Sequence, residues 1–263
     1  MIYILVEFGG LQYSVCGSEQ RGDNEAPNNG VTHEEEATML VKDFMTPDPV
    51  TITPDTSHSD AVRIMREHGF RRLPVVNKNG QLVGIVVEKD LLSTQPSPAT
   101  TLSIWEIHNL LSKLKVKDFM SRPVYTVEED WPIEDAARIM VEHKIGCLPV
   151  MRDGKLVGII TETDLFKAFT QMLAGGEPGI RFTVRLHRHR GVLAELAQAI
   201  AQVGGRIVSL ATLNEPDGEH KRVAFKVINT TAEALKEALE RHADWEILDI
   251  RAGAEMPEPR KVG

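Results

Sequence analysis

The chain has almost no cysteine: Cys16 and Cys147 are the only two in 263 residues. A disulfide framework is therefore unsupported, a CxxC pair is excluded, and a reducing cytoplasm is the expected location. Long apolar runs are missing as well. No stretch of about 18 apolar residues exists, so no membrane-spanning helix is expected. The first six residues, MIYILV, are apolar, but no basic residue precedes them and no cleavage-like pattern follows. A secretory signal is not expected.

Positive charge is not in excess. The net charge is −8, and it is unevenly spread: residues 1–38 hold seven acids against the single base Arg21, leaving −2 for the rest. A nearly neutral body argues against bulk nucleic-acid binding. Catalytic signatures are absent too. There is no nucleophile elbow, P-loop or HExxH, so the chain is not expected to be an enzyme unless residues distant in sequence assemble a site.

What is present is duplication. VKDFM at 41–45 returns at 116–120, VRIMREH at 62–68 returns as ARIMVEH at 137–143, and LPV at 73–75 returns at 148–150. GIVVEKD at 84–90 returns as GIITETD at 158–164. The offset falls from 75 to 74 because NKNG at 77–80 is matched by the shorter RDG at 152–154, a Gly-containing turn where a length change is tolerated. Each repeat reads as an extended piece (PVTIT, PVYTV), an amphipathic helix, two strands around a Gly turn, and a helix opening at DLL or DLF. The helix is carried by Ala61, Ile64, Met65 and His68, matched by Ala136, Ile139, Met140 and His143.

The rest divides by composition. SEQRGDNEAPNNGVTHEEE lacks any period and reads as disordered, so 1–38 is expected to be an extension outside the fold. The repeats occupy 39–96 and 114–172. Between them, 97–113 is expected to form a linker helix with Leu102, Trp105, Leu110 and Leu111 near one face. After GGEPG, GIRFTVRL alternates, with Ile180, Phe182, Val184 and Leu186 on one side and Arg181, Thr183 and Arg185 on the other. A helix, a hairpin, a second helix and a last strand follow. Over 179–252 this is a βαββαβ order, suited to a ferredoxin-like sandwich. A tail, 253–263, closes the chain.

Thr161-Glu-Thr-Asp164 sits between a strand and a helix, and T-x-x-D is close to a capping box, which alone would account for it. The same helix start also suits a phosphate, and an acid there suits ribose hydroxyls. In the first repeat Val87 replaces the hydroxyl, leaving Asp90 without that partner. Arg71-Arg72 precede LPV where the second repeat has Gly146-Cys147. They are either solvated arginines at a strand edge or guanidinium groups that reach phosphate oxygens. Thr51 and Thr126 are, as bare residues, ordinary strand threonines. His187 and His189 alternate in HRHRG, but no carboxylate or cysteine completes a metal set nearby, so a solvated basic loop is expected there and no metal.

The DFM–PV–T openings, the RLPVV and CLPVM strands and the G-I-x-x-x-x-D endings resemble the cystathionine-β-synthase (CBS) domain, which occurs in tandem as a Bateman module. The third domain is similar to an ACT domain, although Arg188, His189 and Arg190 before Gly191 replace the acid and proline usual in amino-acid-binding members. CBS–CBS–ACT in this order resembles the acetoin-utilisation protein AcuB family. The fold class implied is α+β, a CBS pair followed by a ferredoxin-like ACT-type domain. The resemblance implies a regulatory, non-enzymatic protein without a cofactor. AMP, ADP, ATP or a related adenosyl ligand would bind the pair. Asp164, and more weakly Asp90, would take ribose, with Thr161 on the ribose or phosphate side. Arg71 and Arg72 would face phosphates. Val50, Thr51, Val124, Tyr125 and Thr126 would line the adenine pocket, and Gly146 and Cys147 would lie at the same cleft. The alternatives are an interaction scaffold with an empty cleft and a cryptic enzyme. A closed twofold is the commonest oligomer, so a homodimer is expected.

Overall fold

The computed structural model describes residues 38–94, 106, 111 and 113–253. The expected extension (Thr38 apart), most of the linker with Leu102, Trp105 and Leu110, and the tail beyond Gly253 lie outside the described residues. Two compact units meet in the chain between Ala168 and Phe169.

The first unit contains both repeats. In chain order it holds α1 (Val41–Phe44), β1 (Thr46–Pro47), α2 (His58–His68), β2 (Arg72–Val76), β3 (Leu82–Val87) and α3 (Glu88–Ser93). A 3-10 helix (Val116–Asp118), β4 (Val127–Glu128), α4 (Ile133–His143), β5 (Cys147–Arg152), β6 (Lys155–Thr161) and α5 (Glu162–Met172), whose residues from Phe169 onward lie past the boundary, follow. Helix α2 starts where Ser57 Oγ accepts the Asp60 amide and stops at Gly69, whose φ of 67° closes the left-handed cap. Helix α4 ends the same way at Lys144, φ 54°, a conformation that glycine adopts more cheaply. Ala61 and Met65 bury one face of α2, and Ala136 and Met140 the matching face of α4.

The hairpins β2–β3 and β5–β6 are antiparallel, with the buried pairs Leu73↔Val86 and Leu148↔Ile160. Their turns differ as the one-residue deletion requires. Asp153 and Gly154 both take positive φ, the tight two-residue hairpin turn. The longer turn is held by Asn77 Oδ1, which accepts the amides of Asn79 and Gln81.

The openings of the repeats are exchanged. Val41, Phe44 and Met45 pack into the core of the second repeat, with Val127, Ile133 and Leu148. Strand β1 pairs with β6, Thr46 opposite Ile159 and Pro47 opposite Gly158. Val116, Phe119 and Met120 pack into the core of the first repeat, with Ile52, Leu73 and Val86. Two glycines make room. A Cβ on Gly84 would lie 2.5 Å from Met120 Sδ, and one on Gly158 would collide with Met45 Sδ. A repeat in sequence is therefore not a module in space: each core is completed by the other copy's first residues. Ile85, Cys147 and Ile159 form a small buried cluster where the two repeats meet, with Val124 against it.

The second unit contains β7 (Ile180–His187), α6 (Val192–Gln202), β8 (Arg206–Asn214), β9 (His220–Ile228), α7 (Ala232–Glu240) and β10 (Trp245–Ala252). The sheet order is β10-β7-β9-β8 with every pair antiparallel, which is the ferredoxin-like arrangement. Phe182, Val184 and Leu186 are fully buried under α6 and α7 with Leu196, Ile200, Leu235 and Leu239. The opposite face is polar. There Arg185 pairs with Glu215 at 3.1 Å and Asp217 at 3.0 Å. The chain entering this unit is held by side chains of the sheet: Ser209 Oγ donates to the Leu173 carbonyl, and Lys226 Nζ to those of Ala174 and Glu177. At HRHRG, His189 Nε2 lies 3.6 Å from Glu195. Among the described residues no cluster of His, Cys, Asp or Glu is arranged to hold a metal.

Candidate functional site

Among the described residues, four helix starts in the first unit use one device. The carboxylate of the third helical residue reaches back to accept the amide hydrogen of the residue before the helix. Asp43 accepts from Leu40 at 2.9 Å, Asp118 from Lys115 at 2.9 Å, Asp90 from Val87 at 3.0 Å and Asp164 from Thr161 at 2.9 Å. The carboxylate–amide bond therefore does not by itself mark a ligand site. Asp164 stands apart for a different reason. Its Oδ2 accepts both the amide and, at 2.7 Å, the hydroxyl hydrogen of the one pre-helix residue Thr161, and its side chain is only 14% exposed; Asp43 takes its added hydroxyl from the more distant Thr38, at 3.3 Å. Oδ1 faces Lys167 Nζ at 3.9 Å, too long for a hydrogen bond.

The neighbours of Thr161 follow from sheet register. Cys147 opposes Thr161, and Arg72, the corresponding residue of the first repeat, opposes Val87. Each hairpin is tied to the helix after it by one backbone bond. The Glu162 amide donates to the Gly146 carbonyl at 3.1 Å, and the Glu88 amide to the Arg71 carbonyl at 2.9 Å. The side chains break the symmetry. Arg71 is exposed. Arg72 crosses to the second repeat, where its Nη2 lies 3.9 Å from Glu162 Oε2 with 20% of its side chain exposed. It ends over Gly146, where a Cβ would sit 2.5 Å from Nη2. Cys147 is buried, and burial pushes its thiol up to about 11; Arg72 pulls it down less strongly, and Glu162 adds a smaller push upward.

Arg72, Gly146, Cys147, Thr161 and Asp164 are thus gathered at one end of the β5–β6 hairpin. The other candidates are elsewhere. Asp90 caps α3 beside Arg71. Val124 and Thr126 line an open cleft of about 370 Å³ at the turn ends of the hairpins, with Gln81, Leu82, Val83, Pro123, Met151 and Gly154. That cleft does not include either capping aspartate. Tyr125 stacks on His143, ring centroids 3.9 Å apart. Val50 and Thr51 are exposed, and Thr51 is not in a strand: only Ile52 bridges, to Val75. Sequence reasoning missed Glu162. The available signal was that a glutamate follows the Thr/Val position in both repeats, as Glu88 and Glu162.

Comparison with known proteins places these residues in a family. The model of the CBS domain matches twice, over 41–96 and 116–171. Protein MJ1426 of Methanocaldococcus jannaschii is 37% identical over 153 residues, 49% of this chain and 90% of that protein. A solved structure described as an acetoin utilization protein (AcuB) from Vibrio cholerae is 32% identical, covering 51% of this chain and 93% of the other with a TM-score of 0.44. The crystal structure of CBSX2 in complex with AMP is 36% identical, covering 50% and 96% with a TM-score of 0.41. The chain belongs to the CBS-domain family and carries the domain as a tandem pair.

Proposed function

We propose that the CBS pair binds an adenine nucleotide as a regulatory ligand, at the end of β6 where Asp164, Thr161 and Arg72 converge, and that the protein acts without catalysis. One observation carries this reading. The Arg72 side chain is only 20% exposed, yet among the described residues its guanidinium makes no hydrogen bond and only one ion pair, at 3.9 Å. A half-buried arginine with its fork of donors free suits phosphate oxygens. Asp164 supports it: Oδ2 is committed to Thr161, and Oδ1, whose one ion pair among the described residues is with Lys167, can accept ribose hydroxyls. CBSX2, a relative of this chain, is described in complex with AMP, which makes AMP the first ligand to try.

The ferredoxin-like unit, in this proposal an ACT-like domain, transmits the ligand's presence or joins two chains into a homodimer. Light scattering at micromolar concentration giving the mass of one chain would contradict the dimer. A second reading, a scaffold whose cleft stays empty, is favoured by Asp43, Asp90 and Asp118, which make the same carboxylate–amide cap as Asp164. Equilibrium dialysis against labelled AMP, ADP and ATP separates the two. The nucleotide reading expects saturable binding that weakens about tenfold in Arg72→Ala, the loss of one charge-assisted contact. No saturable binding of any of the three supports the scaffold.

A further inference from the structure

Glu162 has no role in the nucleotide reading above, yet its carboxylate ends beside Arg72, the cation which that reading assigns to phosphate. Arg72 arrives from β2 of the first repeat and Glu162 from the first turn of α5. They meet over Gly146, where a Cβ would lie 2.5 Å from Arg72 Nη2 and 2.9 Å from Glu162 Oε2. At 3.9 Å the pair is Coulombic and not hydrogen-bonded, so the acid offsets part of the positive potential of the arginine without occupying its donors. Glu162 is 58% exposed against 20% for Arg72, so the acid stands on the solvent side of the cation.

We infer that Glu162 is a charge selector: it lets Arg72 accept one phosphate and disfavours ligands with more. The inference rests on the nucleotide reading. A phosphate that binds the guanidinium must come within a few ångströms of the Glu162 carboxylate. With one phosphate, attraction by Arg72 outweighs repulsion by Glu162, because the oxygens touch the guanidinium and only approach the acid. A second or third phosphate has no further half-buried cation among the described residues at this end of β6 and extends past the exposed acid. The preference order expected of the protein is therefore nucleoside monophosphate over diphosphate over triphosphate. A negative charge about 6 Å away, in surroundings between protein and water, changes affinity by about tenfold.

Calorimetric titration of wild type, Glu162→Gln and Glu162→Asp with adenosine, AMP, ADP and ATP tests this. Gln keeps the shape and removes the charge; Asp keeps the charge and controls for disturbance of the helix start. Glu162→Gln is expected to bind ATP about tenfold more tightly than wild type, ADP somewhat less so, AMP two- to threefold and adenosine unchanged. Glu162→Asp keeps the wild-type order. An equal shift for all four ligands in Glu162→Gln, or no shift, overturns the selector while leaving the nucleotide site standing. If neither wild type nor any variant binds any of the four, while all melt cooperatively, the nucleotide reading falls and the selector with it.

Discussion

A single oxygen of Asp164, Oδ2, accepts both the amide and the hydroxyl hydrogen of Thr161, at 2.9 and 2.7 Å. Among the described residues the equivalent oxygen of Asp90 accepts only the Val87 amide. At the two capping aspartates the difference is one hydroxyl. Thr161→Val makes the second repeat like the first. Loss of a half-buried hydrogen bond to a charged group is expected to lower stability by about 1–2 kcal/mol. A urea melt of the variant checks this, with the m-value unchanged. An unchanged midpoint would mean that the hydroxyl is equally well satisfied by water.

Gly146 matters because of what lies over it. Its φ is not in the left-handed region, so alanine is tolerated by the backbone; the obstacles are Arg72 Nη2 and Glu162 Oε2, the mobile ends of two long side chains. Gly146→Ala is expected to push the guanidinium outward, to change the melting midpoint by less than about 1 kcal/mol equivalent, and to weaken AMP binding several-fold. Adenosine binding serves as the control and should move least.

The exchanged openings predict a different result at the interrepeat glycines. At Gly158 an added methyl meets Met45 Sδ and the Thr46 carbonyl, and at Gly84 it meets Met120 Sδ. Overpacking of this kind costs about 1–3 kcal/mol. Gly158→Ala is expected to cost more than Gly84→Ala, because backbone as well as side chain must move. Each should destabilise the chain as one cooperative transition, since each opening segment is part of the other repeat's core. Two resolved transitions in the first unit would contradict the exchange.

Cys147 gives stability a dependence on pH at the alkaline end. Its thiol is pushed from an ordinary value of 9.0 up to about 11 by burial. Folded protein therefore holds this proton where unfolded chain has released it. The contribution is complete below pH 9 and is lost as pH rises from 9 through 11. Wild type is expected to lose stability faster than Cys147→Ala over that window, measured as the difference in urea midpoint at each pH. Parallel curves would show that the thiol ionises as freely folded as unfolded. In the native state at pH 8 the thiol is expected to resist alkylation, since the thiolate is the reactive form.

The duplication and the third domain were legible because periodicity survives burial: Phe182, Val184 and Leu186 alternate in the sequence and are buried in the fold. The exchange of openings was not legible for a simple reason. VKDFM at 41–45 and VKDFM at 116–120 are identical, so nothing in either copy states which core it joins. The meeting of Arg72, Gly146, Cys147, Thr161 and Asp164 could be anticipated in part. Arg72 corresponds to Cys147, and the small residues Gly146 and Cys147 leave room opposite a long one. Its contact with Glu162 depends on the direction of a flexible side chain across two repeats, which spacing does not encode. Thr51 and Thr126 read as strand residues by composition, but the paired stretches there are too short to include them: one bridge at Ile52 and two residues in β4.

The account turns on whether Asp164 is a helix cap alone or also a ligand for ribose, and calorimetric titration of folded wild type, Asp164→Ala and Asp90→Ala with AMP decides it. Hydrogen bonds to a charged group contribute about 1.5–3 kcal/mol each, so loss of the ribose contacts is expected to weaken binding by roughly ten- to a thousandfold in Asp164→Ala. Asp90→Ala, whose site lacks the hydroxyl, should lose less. Equal AMP affinities in wild type and Asp164→Ala, with only a stability loss of about 1 kcal/mol in the variant, would contradict the account and leave Asp164 as a cap like Asp43, Asp90 and Asp118.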